Sequence, residues 1–145
     1  MKETFYLNQK ILPTIPVPHD CIISELHLED DYLILIFKDN ISHHDSINSI
    51  RPNAKSLVIK MHFVDDVNDL QLFIREKPGF VLHKAGAYNE YDLLEDDKIL
   101  SLLTNYKLEY LCHNVGFCSI IIKMWSSGSI IFDIASDYIE YEWIE

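Results

Sequence analysis

Twenty isoleucines stand against four alanines in this 145-residue chain, and that imbalance narrows the folds open to it. β-Branched side chains are stiff at χ1 and pack well on a pleated surface, while alanine, the strongest helix former, is nearly missing. From Cys21 onward, apolar runs of strand length are separated by acidic or glycine turns. They are Cys21 to Leu28, Tyr32 to Phe37, Leu57 to Val64, Leu70 to Glu76, Lys107 to His113, Phe117 to Trp125, Ile130 to Ala135 and Tyr138 to Ile144. Connections such as Glu29-Asp30-Asp31 are too short for the crossover that a parallel pair requires. The expected fold is therefore α+β and mainly β: a twisted antiparallel sheet, as a half barrel or a sandwich, with one helix packed on it.

The helix is expected over Asp92 to Tyr106. Asp92 and Glu95 form a capping-box pattern, and Ile99, Leu102, Leu103 and Tyr106 recur at helical spacing. Ser42 to Ile50 reads as a short helical turn or a loop, ended by Pro52. In the hairpin around Gly128, a turn centred on that glycine sets Lys123 opposite Asp133. A two-residue Ser127-Gly128 turn sets Lys123 opposite Phe132. The first register pairs the only two charges and is preferred on sequence alone, although a three-residue turn favours glycine in its last slot.

With 48% apolar and 24% charged residues, the composition is that of a packed globular chain, expected to form one domain over 1–145. Residues 1–20, with Pro13, Pro16 and Pro18, are expected to supply an N-terminal edge strand or arm. The net charge is -11, and Arg51 and Arg75 are the only arginines. A polyanion is bound by neutralising its phosphates, so this field argues against nucleic acid and against anionic membrane surfaces. The same field favours encounter with a basic protein partner. No secretory h-region precedes Cys21, and the longest charge-free stretch, Tyr110 to Ile122, falls short of the ~20 residues a membrane span needs. Three cysteines without a CxxC pair do not make a disulfide framework, and the expected location is cytoplasmic.

No motif assembles a catalytic or metal site. His43-His44-Asp45 has the ligand chemistry of a zinc or iron site, but adjacent side chains diverge and no HxH or HxxxH spacing occurs. Cys112-His113 with Cys118 lacks knuckle spacing, and buried free thiols account for it better. His19-Asp20-Cys21 places nucleophile, base and orienting acid side by side, although side chains adjacent on an extended segment point apart. The four glycines, Gly79, Gly86, Gly116 and Gly128, are isolated, so neither phosphate-binding loop is present. No catalytic residue, metal or cofactor is expected.

Two functional classes follow. The first is a non-enzymatic protein-interaction or inhibitor module of the immunity type, with an acidic partner-binding face on Glu140, Glu142, Asp30 and Asp31. The alternative is a small-molecule-binding protein or hydrolase with a pocket in the sheet concavity near His83, Tyr88, Tyr91 and His113. The loop Lys84 to Tyr91, rich in small residues and holding Tyr88 and Tyr91, is expected between a strand and the helix, where loops often carry binding residues. Self-association through the apolar Phe117–Ala135 hairpin is a further expectation.

Overall fold

Among the described residues of the computed structural model, the chain forms nine strands. They are β1 (Lys2–Tyr6), β2 (Glu25–Glu29), β3 (Tyr32–Phe37), β4 (Ser56–Phe63), β5 (Leu70–Arg75), β6 (Tyr88–Tyr91), β7 (Glu109–Gly116), β8 (Ser119–Trp125) and β9 (Ser129–Ile144). The described residues are 1–38, 40–75, 88–91, 107–126 and 128–145, with backbone alone for 74–75 and 88–91.

Every strand pairing is antiparallel, and β9 is the spine. Its first half pairs with β8 on one side and β5 on the other, and its second half pairs with β1 and β4. Outward from these lie β3 and β2 beside β4, β6 beside β5, and β7 beside β8. The two expected strands Ile130–Ala135 and Tyr138–Ile144 are thus one strand of 16 residues.

That strand changes parity without changing faces. Ile130, Phe132 and Ile134 are buried in its first half, and Ile139, Tyr141 and Trp143 in its second. Even positions give way to odd ones because Phe63 opposes Ser136 while His62 opposes Tyr138, leaving Asp137 as the extra residue of a β-bulge. One insertion restores the inward alternation that a regular strand would lose.

The sheet also curls toward closure. Asp20 N donates to Tyr110 O (2.9 Å), Tyr110 N to Cys21 O (3.0 Å) and Ile23 N to Leu108 O (2.8 Å), tying the segment before β2 to the start of β7. The proline-rich arm crosses the inner side, where Tyr141 OH donates to Pro16 O (2.8 Å). Leu7 and Ile15 of this N-terminal segment are buried with Ile23, Leu35, Phe37, Ile59, Tyr110 and Ile122 in one apolar core.

Helical structure among the described residues is limited to single turns. These are 3-10 turns at Ile41–His43 and Val67–Asp69 and one α turn, α1 (Asp45–Asn48). The Ser42–Ile50 segment is therefore part turn and part loop, with His44 and not Ser42 at the α1 N-cap. The helix expected over Asp92 to Tyr106 lies outside the described residues. No helix among those described is long and apolar enough to cross a membrane.

Two local expectations are corrected. The β8–β9 register sets Lys123 against Ile131 and Asp133 against Ile121, so the Lys123–Asp133 pairing does not form. Trp125 opposes Ser129, which leaves a three-residue connection with Gly128 in the last slot. Observed and preferred registers differ by two residues and bury the same faces, so the core is indifferent. Turn geometry decides, because an exposed ion pair contributes only about 0–1 kcal/mol. The loop placed at Lys84 to Tyr91 ends in a strand, since Tyr88–Tyr91 is β6 on the edge of β5.

Candidate functional site

The outer face of the β1–β9–β4–β3–β2 sheet carries one continuous row of polar aromatics. Pairwise registers set Glu29 against Tyr32, Tyr32 against His62, His62 against Tyr138, and Tyr138 against Tyr6. Directly paired residues of antiparallel strands share a face, so the five side chains form a line across five strands. The His62 and Tyr138 rings stack at 4.6 Å and 13°. Tyr32 meets His62 edge-on at 5.1 Å, and Tyr6 leans on Tyr138 at 6.1 Å.

The bulge arms this row. Asp137 is swung toward the same surface, and its Oδ1 is 2.6 Å from Nδ1 of His62. The main-chain oxygen of Asp137 accepts from Leu7 N (2.8 Å), and the buried Ser136 hydroxyl donates to Tyr138 O (2.9 Å). With Nδ1 committed to the carboxylate, Nε2 is the ring nitrogen available to a partner. The Tyr32 and Tyr138 hydroxyls are 2.5 Å apart. That hydrogen bond, followed by burial, raises the Tyr138 pKa and keeps its hydroxyl protonated at neutral pH.

Acidic turns border the row. Asp30 and Asp31 are exposed in the β2–β3 turn, and Phe63 N donates to Asp31 O (2.9 Å), which holds that turn against the end of β4. Asp65 and Asp66 are exposed just beyond Phe63. Glu140 and Glu142 follow Tyr138 on the same outward face, but Glu140 is paired with Lys2 at 2.8 Å and opposes Lys60 in β4. Its side chain is 18% exposed. Of the four acidic residues singled out from sequence, Asp30 and Asp31 lie at the aromatic end, and Glu140 belongs to a neutralised patch.

His83 lies outside the described residues, and Tyr88 and Tyr91 begin and end β6, whose backbone alone is described. His113 faces inward, with Nδ1 2.6 Å from the buried Tyr110 hydroxyl and Nε2 3.2 Å from Ile15 O. Burial lowers its pKa, so the neutral ring is favoured.

A second cleft joins two motifs that the sequence kept apart. His19 and Asp20 face His43, His44, Asp45 and Ser46 across a cavity of about 350 Å³. His19 Nδ1 is 2.7 Å from Leu111 O, and its Nε2 is 3.2 Å from Asp20 Oδ1. No group of three or more His, Cys, Asp or Glu side chains among the described residues is placed to hold a metal ion.

Cys21 does not serve this cleft as a nucleophile. It is fully buried, and desolvation, helped by the Asp20 charge, pushes its thiol up to about 12. Since the thiolate is the reactive form, native protein at pH 8 is expected to react with iodoacetamide at exposed Cys112 and not at Cys21. Peptide mass mapping checks this, and modification of Cys21 before unfolding would contradict the assigned burial.

Comparison of the chain with protein-family models, curated proteins and solved structures finds no match. The residues that sequence reasoning missed are Tyr6, Tyr32, His62, Asp137 and Tyr138. They come from four strands, and only the parity change at Ser136-Asp137 marked the place where they meet.

Proposed function

We propose that this chain is a non-enzymatic protein-interaction module of the inhibitor type, acting as a single cytoplasmic domain. Its partner is a basic protein. The observation that carries this reading is the Glu29–Tyr32–His62–Tyr138–Tyr6 row bordered by Asp30, Asp31, Asp65 and Asp66. Tyrosine offers a large, rigid contact surface with a polar tip and is enriched at interfaces. The acidic border and the net charge of -11 select a partner of opposite sign and speed its approach.

The row suits recognition better than turnover. His62 is oriented by Asp137, yet its ring is stacked flat on Tyr138, and the nearest tyrosine hydroxyls are bonded to each other. A general base needs a nucleophile within hydrogen-bond reach, and the row supplies none.

Tyr6 is 52% exposed, so Tyr6→Ala removes contact area with little effect on folding. Capture from the native host, followed by binding of the purified partner, is expected to yield a basic protein whose affinity falls about tenfold or more in Tyr6→Ala. Tyrosine is enriched among the interface residues whose truncation costs on the order of 2 kcal/mol. Affinity is also expected to fall as salt rises from 50 to 500 mM, through screening of the acidic border. A partner bound equally well by Tyr6→Ala, or without dependence on salt, rejects this surface.

A further inference from the structure

Among the described residues, the outer edge of β1 is an open and self-complementary template. Met1 and Trp143 exchange backbone hydrogen bonds, and Leu7 N donates to Asp137 O, which fixes the phase of the β1–β9 ladder. Odd-numbered residues of β1 face β9, so the N–H and C=O groups of Lys2, Thr4 and Tyr6 face away from it. No described residue pairs with these groups. The arm that follows β1 does not cap them, because its ties run to the inner side, through Ile15 O to His113 and Pro16 O to Tyr141.

We propose that β1 is a dimerisation edge, occupied by β1 of a second copy in antiparallel register about a two-fold axis through Thr4. This register sets Lys2 against Tyr6 of the partner, Thr4 against its counterpart, and Tyr6 against Lys2 of the partner. It brings all three outward-facing residues into hydrogen-bonded pairs, each exchanging two bonds. A register displaced by two residues in either direction leaves one of the three unpaired.

The side chains agree with the backbone. Thr–Thr and cation–aromatic neighbours across strands are favourable. Glu3 meets Phe5 of the partner, so no like charges are opposed despite the net charge of -11. An isologous contact of this kind closes at two copies, which protects the edge from open-ended strand addition. In the loop leaving β1, Ile11 is 87% exposed and Leu12 37%. This inference rests on the backbone edge and shares only Tyr6 with the aromatic row, so its test at Thr4 can fail while the partner reading stands.

Sedimentation equilibrium on the full chain tests it. The wild type is expected at twice the monomer mass, and Thr4→Pro at the monomer mass with an unchanged far-ultraviolet spectrum. Proline at Thr4 removes an outward N–H and leaves the β9 ladder intact. In a second arm, Thr4→Cys is expected to give a disulfide-linked dimer on mild oxidation, since the two-fold axis sets the new thiols opposite each other. Wild type treated in the same way controls for Cys112. A monomeric wild type, or a dimer that survives Thr4→Pro, overturns the proposal. If Thr4→Pro fails to fold, the absence of a Thr4→Cys cross-link overturns it by itself.

Discussion

Ile134→Asp is expected to leave no cooperatively folded protein, while Asp133→Ile, one residue away, changes stability by less than about 1 kcal/mol. Ile134 is fully buried in β9, between Leu70 of β5 and Ile120 of β8. Aspartate there loses the packing of the isoleucine, about 2–5 kcal/mol. It also buries a carboxylate with no cation opposite it, which costs several kcal/mol more. Together these approach the whole stability of a typical domain, about 5–15 kcal/mol. Asp133 lies on the other face, half-exposed between Gln71 and Ile121, and has no ion-pair partner among the described residues. Urea unfolding followed by tryptophan fluorescence separates the two variants. A cooperative transition for Ile134→Asp near that of the wild type would mean that β9 presents the opposite face to the core.

Much of this architecture could be read from the chain, and the rest was hidden for identifiable reasons. The strand Tyr32–Phe37 follows from a continuous apolar run bounded by turn residues, and the two-faced run Ile139, Tyr141, Trp143 follows from alternation, because a strand with one buried face repeats its apolar side chains every second residue. The continuity of β9 did not follow. A parity change looks like a break between strands when bulges are left out, and Ser136-Asp137 carries both readings equally. Tyr88–Tyr91 was hidden for another reason: β6 is a short edge strand whose sequence has turn composition, and pairing with β5 overrides it. Glu140 and Glu142 were legible as an outward face, but their charge balance was not. Lys2 is 138 residues away in sequence from Glu140, and only the β1–β9 register brings them together. The same holds for His62 and Asp137, whose contact spans 75 positions. Side chains recruited by long-range pairing leave no spacing to recognise.

Trp143→Ala is expected to cost about 3–5 kcal/mol, the range for truncating a large buried aromatic. The ring is 1% exposed and packs edge-on against Tyr141 at 5.7 Å, which packs in turn against Phe5 of β1 at 5.4 Å. Trp143 also anchors a polar cluster. Its Nε1 donates to Glu3 Oε2 (2.7 Å), Arg51 donates to the other oxygen of Glu3 (2.7 Å), and the Arg51 guanidinium lies 5.7 Å from the indole. Trp143→Phe keeps most of the packing but removes the donor, leaving a partly buried carboxylate oxygen short of a hydrogen bond at a cost of about 1–3 kcal/mol. The two variants therefore divide the contribution of Trp143 into volume and hydrogen bonding. Because Glu3 belongs to β1, both losses are expected to loosen that strand, and amide exchange at Glu3 and Phe5 should quicken more than exchange at Leu33 and Leu35 in β3. Equal acceleration in both strands would show that Trp143 supports the core as a whole and does not selectively hold β1 against β9.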